Sequence, residues 1–386
     1  MLRLLPSIAI ALATMGVAGG MLSKVIEPTA FEWNIPASFP RPAVPADNPM
    51  SVAKVALGRH LFYDRRMSVN GQQSCASCHR QELAFTDGRA RSVGTTGETH
   101  PRSSMSLANV AYNTALTWAD PRARALEDQA LVPMLGAHPI ELGLGGREAE
   151  FLRVVQQDSV YRQLFASAYS ETENVYTTKH VVRAIAAFER TLLSMRSPYD
   201  KYRYGGEANA ISESAKRGEA FFFSGQHGGC FQCHGGWNFT GSVRFEGRAD
   251  VEPSFFNTGL YNLKGASSYP AQNTGVHGVT GRAEDMGKFR APTLRNIAVT
   301  APYMHDGSVL TLDAVLDHYA AGGRTIANGR NAGVGHLNPN KAPNVDGFTL
   351  TAQQRRDVIA FLESLTDSTF LTDTTLSDPW RRRPRR

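Results

Sequence analysis

Along most of this chain, apolar residues recur at helical rather than strand spacing. Val52, Val55, Ala56 and Leu61 share one helical face. Near the C-terminus, Val358, Phe361, Leu362 and Leu365 form a second stripe, opened by a capping box of Thr351 and Gln354. A third helix runs from Leu312 to Tyr319 and stops at Gly322-Gly323. Stretches rich in β-formers are few and short. The expected class is therefore mostly α, with glycine-rich loops. The N-terminus follows another pattern: one arginine, an apolar run, then small residues from Val17 to Gly20. Residues 1–27 read as a signal peptide or, uncleaved, an N-terminal anchor, so the chain is expected outside the cytoplasm. A proline-rich leader follows, and no later segment is apolar enough to span a bilayer.

Composition adds little to this until charge is located. Hydrophobic residues make up 42% and charged residues 20% of 386 positions, which suits a packed protein of two domains. The formal charge of +6 is concentrated at the end, where five of the last six residues are arginine. The body is close to neutral, and no nucleic-acid partner is expected. Residues 371–386 read as a basic tail, either solvated or docking to an acidic partner or membrane surface.

The four cysteines carry the chemistry. Cys75-Ala76-Ser77-Cys78-His79 and Cys230-Phe231-Gln232-Cys233-His234 both fit C-x-x-C-H, the attachment pattern of a c-type haem. Two thiols three positions apart can add across two vinyl groups, and the next residue offers an imidazole to the iron. One zinc shared by both pairs gives no reason for the histidines. Disulfides are open to an exported chain, but C-x-x-C loops are usually redox-active. A thioredoxin-type motif calls for a preceding strand, where the pattern is helical. The surroundings repeat too. Gly58 precedes Leu61-Phe62 as Gly218 precedes Phe221-Phe222, and Phe85-Thr86 and Phe239-Thr240 follow the histidines. An internal duplication is expected: two cytochrome c-like domains, 28–205 and 206–370, with one haem each.

With further residues the chain resembles a known family, the bacterial di-haem cytochrome c peroxidases and MauG enzymes, over nearly its whole mature length. The resemblance rests on both CxxCH motifs, Leu126-Glu127-Asp128-Gln129-Ala130 and His138-Pro139-Ile140-Glu141-Leu142-Gly143. It also rests on the run from Phe289-Arg290-Ala291-Pro292-Thr293-Leu294-Arg295-Asn296 to Tyr303-Met304-His305-Asp306-Gly307. The opening FEWNIP and the segment RSSMSLANVAYNTALTWA are similar to the methanobactin-associated branch, MbnH and its relatives. The resemblance implies a peroxide site at the N-terminal haem. Glu141 would move a proton between the peroxide oxygens, with Gln129 beside it. Taken alone, a glutamate in that setting is more often a helix-start charge.

Five departures or matches refine the implied activity. In resting peroxidases of the family a histidine from a short glycine loop blocks the iron. The loop here is Val93 to Gly97, and Thr95, sixteen residues after His79, replaces the histidine. His100 is a candidate substitute ligand, against the plain reading of a solvated loop residue. At the second haem, Tyr319 stands where electron-storing members have methionine, as in the MauG branch, and a phenolate favours oxidised iron. Met304 and Met286 are rival ligands, His318 is adjacent, and Tyr319 as core packing is the plain alternative. Trp118 matches the tryptophan between the haems. Ser103, Thr300 and Pro302 match the ligands of an inter-haem calcium, with serine in place of the usual asparagine. Gly228 replaces the surface tryptophan through which MauG passes radicals, so Trp237 or a tyrosine would serve instead.

The implied function is a periplasmic di-haem oxidase. It would use hydrogen peroxide to oxidise a residue of an exported partner protein, tryptophan to kynurenine. One alternative is a peroxide scavenger fed by a small cytochrome or other electron carrier. The other is a non-enzymatic di-haem electron carrier.

Overall fold

The computed structural model describes residues 31–169, 173–225, 229–248 and 251–381. The expected signal at 1–27, Gly228 and the arginines beyond Arg381 lie outside the described residues. The fold is mostly helical, as the apolar spacing requires. Its helices are α1 (Val52–Tyr63), α2 (Cys75–Cys78), α3 (Leu126–Leu135), α4 (Glu148–Gln157), α5 (Ser159–Ala168), α6 (Thr178–Glu189) and α7 (Pro198–Tyr204). They continue with α8 (Glu213–Phe222), α9 (Phe231–His234), α10 (His277–Thr280), α11 (Leu312–Ala320), α12 (Ala352–Ser364) and α13 (Ser368–Thr372). Sheet among the described residues is two short antiparallel pairs. In one, β1 (Phe255–Phe256) sets Phe255 opposite Arg290 of β2 (Phe289–Arg290). In the other, β3 (Thr325–Ile326) pairs with β4 (Gly333–Val334).

Two close helix crossings organise the packing, and each needs a glycine. A Cβ on Gly58 of α1 would stand 1.8 Å from Ala184 O of α6, and one on Gly218 of α8 would stand 1.9 Å from Asp357 O of α12. Leu57, Leu61, Phe62, Phe85, Ile185 and Phe188 fill one core around the first crossing, and Phe221, Phe222, Phe239, Val358, Phe361 and Leu365 fill another around the second. The Thr351–Gln354 capping box forms, each side chain accepting from the other's backbone N–H. Helix α11 stops where Gly322 turns to φ +67° and Gly323 N donates to His318 O (3.0 Å).

Two buried asparagines tie these regions together. Asn109 (φ +56°) and Asn296 (φ +59°) both adopt left-handed backbone, and each opens a 3-10 turn. Asn109 Nδ2 donates to Ser194 O (3.0 Å) and its Oδ1 accepts from Ser194 N (2.8 Å). Asn296 Nδ2 donates to Ser194 Oγ (2.9 Å) and its Oδ1 accepts from Asp367 N (2.8 Å). Both amides are thus spent on buried backbone and hydroxyl groups. Beyond α13 the chain still packs: Leu371, Leu376 and Trp380 lie on the first core, and Trp380 Nε1 donates to His60 O (3.0 Å). Among the described residues no helix is long and apolar enough to cross a membrane.

Candidate active site

Each cysteine pair sits on one short helical turn with its histidine at the exit. Ser74 and Ser77 cap α2 reciprocally, and His79 N donates to Cys75 O (3.0 Å). In the second copy His234 N donates to Cys230 O (2.9 Å). The turn brings residues i and i+3 onto one face, which places both thiols of a pair together. All four thiols are unbridged, and burial pushes each of them up, so they are neutral S–H groups.

The Phe-Thr repeat after each histidine now has a physical reason. His79 Nδ1 lies 2.8 Å from Phe85 O, and His234 Nδ1 lies 3.2 Å from Phe239 O and 3.1 Å from Pro292 O. To return those carbonyls, Phe85 and Phe239 adopt φ +61° and +50°, a strained region for a non-glycine residue. The bond at Nδ1 fixes the tautomer and leaves each Nε2 as the lone-pair donor. Burial lowers both imidazoles' pKa, which keeps them neutral.

The two motifs open into different cavities. Gln129, Glu141, His100, Arg102 and Glu189 line the first with Cys75, Cys78 and His79. Burial lifts Glu141 to about 7, and His100 Nε2 stands 3.9 Å from its Oε1. Burial also lowers His100, so this contact is between groups each pushed toward neutrality rather than a firm ion pair. Val93 and Gly94 line this cavity but Thr95 does not, and its Oγ1 is buried without a partner. The second cavity is apolar. Tyr319, Met304, Leu316 and Phe348 line it with Cys230, Cys233 and His234, while buried His318 does not. Burial, then the neighbouring Cys233 and Cys230, push the Tyr319 phenol well above its ordinary value. Among the described residues no group acts to lower it, so a phenolate here calls for a cation supplied by a bound group. Met286 packs in the core behind this wall.

Among the described residues, Trp118 alone lines both of these cavities. Its indole N–H donates to Ser103 O (2.9 Å), and its carbonyl accepts from Arg290 N (2.9 Å). Arg290 is 4% exposed, yet its Nε and Nη1 have no partner, and Nη2 reaches only Met105 Sδ at 3.6 Å. Burial lowers it to about 10. A desolvated guanidinium short of an anion is costly, and haem carboxylates would relieve it. Two neutral imidazoles whose Nδ1 atoms are committed to backbone carbonyls, paired thiols and an apolar cradle complete a fit to two haems. Calcium fits less well. Ser103 Oγ donates to Met304 O (3.1 Å), Thr300 Oγ1 donates to Ile297 O (3.1 Å), and the remaining donors are neutral oxygens. Sequence reasoning undervalued His100 and passed over Arg290. Their signal, a titratable group in a polar loop or on a two-residue strand, is weak until the cavities are seen.

Paired thiols, ligand imidazoles and a carboxyl in a cavity define a haem-based oxidoreductase. Comparison with known proteins agrees. Residues 52–209 match the model of the di-haem cytochrome c peroxidase family. The methylamine utilization protein MauG of Methylorubrum extorquens AM1 is 35% identical over 86% of this chain and 82% of its own. The cytochrome-c peroxidase IdrP1 of Pseudomonas sp. strain SCT is 34% identical over 86% of each. A solved MauG-like protein associated with microbial copper homeostasis superposes with a TM-score of 0.89 at 45% identity, over 91% of this chain and 100% of that one. The chain belongs to the di-haem cytochrome c peroxidase and MauG family, and it is an oxidoreductase of the peroxidase type. The non-enzymatic carrier is set aside.

Proposed function

We propose that the enzyme works in the periplasm, with two covalent c-type haems in two duplicated cytochrome c-like domains. It uses hydrogen peroxide to oxidise a residue of an exported partner protein, a tryptophan taken to kynurenine. The observation that carries this reading is Trp118 bridging a polar, carboxyl-bearing cavity and an apolar one that holds Tyr319. The matching glycine crossings and the matching left-handed Phe and Asn residues support the duplication.

Bound haem iron supplies the two-electron reduction of peroxide. Glu141 takes the proton of the near peroxide oxygen and returns it to the far one, which leaves as water. Gln129 offers an amide to hold peroxide or a water in line. Thr95 turned away from the cavity supports an iron free of a blocking side chain at rest. With haems held at both motifs, Tyr319 would favour the oxidised state of the second, and Trp118 would pass electrons from one cavity to the other. A way out starts at Trp237, three residues past His234. Its ring meets Tyr112 at 4.7 Å and Phe39 at 5.5 Å edge-on, and Phe39 meets Tyr204 at 5.0 Å. Tyr204 is 38% exposed.

The test is to incubate holoenzyme and peroxide with candidate exported partners and weigh the partner. A tryptophan that has gained one oxygen and lost one carbon, the change to kynurenine, supports the reading, and an unchanged mass rejects it. The similarity to proteins named as peroxidases favours a second reading, peroxide scavenging with a small cytochrome. Rapid steady-state turnover with reduced cytochrome c would select it.

A further inference from the structure

Residues 92–100 fold into a turn: Val93 faces Thr99, and His100 N donates to Ser92 O (2.8 Å). Three contacts fasten this turn to the segment that carries Glu141. Thr95 N donates to Glu141 O (2.8 Å), and Ile140 N donates to Glu98 Oε2 (2.9 Å). Gly94 lies so close that a Cβ there would stand 1.8 Å from Ile140 O. His100 and Glu141 are therefore held on one rigid unit, with Nε2 and Oε1 3.9 Å apart. That gap is longer than a hydrogen bond, and one water or a small torsional shift closes it.

The other side of the imidazole is unusual. His100 Nδ1 lies 3.1 Å from Arg102 N and 3.2 Å from Arg102 O. One is a donor and the other an acceptor, so Nδ1 has a partner in either tautomer. The ring can take a proton at one nitrogen and release it at the other without stranding a buried polar atom. The His100 side chain is also 30% exposed. The charged groups around the pair are few: the Arg102 guanidinium beside His100, and Glu98, whose carboxylate is spent on Ile140 N. His79, Asp120 and Glu189 also line the cavity.

We propose that His100 and Glu141 form a proton-sharing pair, with His100 relaying solvent protons to the Glu141 carboxyl. This rests on the peroxide chemistry proposed above. Cleavage of the peroxide bond only moves a proton from the near oxygen to the far one, which leaves as water. Returning the near oxygen to water takes up two electrons and two protons. The electrons come from the residue being oxidised. The protons must enter the cavity, and His100, with Nε2 3.9 Å from Glu141 Oε1 and Nδ1 backed by Arg102, is a ring through which they can reach that carboxyl. His100 acts through Glu141 and is a positioning and relay residue.

Holoenzyme His100→Gln is mixed with one equivalent of peroxide, then with a small-molecule reductant that supplies the two electrons for the return, and followed optically above about pH 8, where Glu141 is already a carboxylate. The peroxide-oxidised spectrum should form within about twofold of the wild-type rate. Its return to the resting spectrum should slow by at least about tenfold, gain a solvent deuterium isotope effect and recover with added imidazole. His100→Asn should behave alike, and imidazole rescue of either variant shows that it is folded. Wild-type return rates and isotope effects in both variants overturn the relay. So does a low-spin resting EPR signal in the wild type that turns high-spin in His100→Gln, because His100 would then be an iron ligand. A wild-type enzyme that never forms the oxidised spectrum overturns the functional reading itself and the relay with it, and its inert wild type tells the two failures apart.

Discussion

Replacing Glu141 with glutamine separates what the carboxyl costs the fold from what it contributes to the chemistry. Burial lifts this carboxyl from the ordinary 4.5 to about 7. At 1.36 kcal/mol per tenfold step, that displacement disfavours the charged form by about 3 kcal/mol. The side chain keeps 31% exposure, so solvent screening brings the figure nearer 2 kcal/mol. The folded state holds this proton to higher pH than the unfolded chain does. It therefore binds more protons between about pH 4.5 and 7, and stability falls as pH rises through that window. Glutamine has no proton to lose. Glu141→Gln should match the wild type near pH 4 and exceed it by about 2 kcal/mol near pH 8, measured by denaturant unfolding of the holoprotein. Activity should move the other way. The wild-type rate with peroxide should climb through about pH 7 as the carboxylate forms. The variant should lose about 10²–10⁴-fold and show no such step. A variant less stable than the wild type near pH 8, or one that keeps the pH step, refutes the assignment.

Tyr319→Phe should abolish the long-lived peroxide-oxidised spectrum and raise the reduction potential of the second haem, read by spectroelectrochemistry. Tyr319→Met should go further and give turnover with reduced cytochrome c. Trp118→Phe should leave the first haem's reaction with peroxide intact while the optical change at the second lags behind it. Trp237→Phe should preserve the oxidised spectrum yet reduce oxidation of the partner, measured by mass. Gly58→Ala forces a Cβ to within 1.8 Å of Ala184 O and should cost about 3 kcal/mol, seen as a lowered Tm.

Much of this architecture is legible because local chemistry and spacing coincide. The stripe at Val358, Phe361, Leu362 and Leu365 and the Thr351–Gln354 box form as their pattern requires. The Phe-Thr repeat was visible as a repeat, but its purpose was not, since a carbonyl returned by a left-handed phenylalanine leaves no mark in side-chain chemistry. The pairing of Leu107-Ala108-Asn109-Val110-Ala111 with Leu294-Arg295-Asn296-Ile297-Ala298 was in plain view as well. It becomes meaningful only when both asparagines meet at Ser194. Arg290 shows the opposite limit. An arginine alternating with apolar residues on a short strand reads as a solvated edge, and only its burial beside two cavities reveals an unmet charge.

The two cavities start from the same motif and end in opposite environments, and the difference lies in what reaches them. The first receives Glu141, Gln129 and His100 from segments fastened to one another by backbone bonds, so proton-handling groups are fixed around it. The second receives α11 and the α12 wall, which bring leucines, a phenylalanine and one phenol that burial keeps protonated in the chain alone. Under the proposed function a group bound at the first would exchange protons and a group bound at the second mainly electrons, although Arg290 and His305 also reach the second lining. Trp118 touches both cavities, and its indole proton is already committed to Ser103 O. A base that would take that proton is absent from its hydrogen bond, so charge crossing this indole is handed on as an electron. Under the proposed function, proton work would fall to one side and electron storage to the other, joined by a residue that passes only electrons, as two-electron peroxide chemistry at a distance from its target requires.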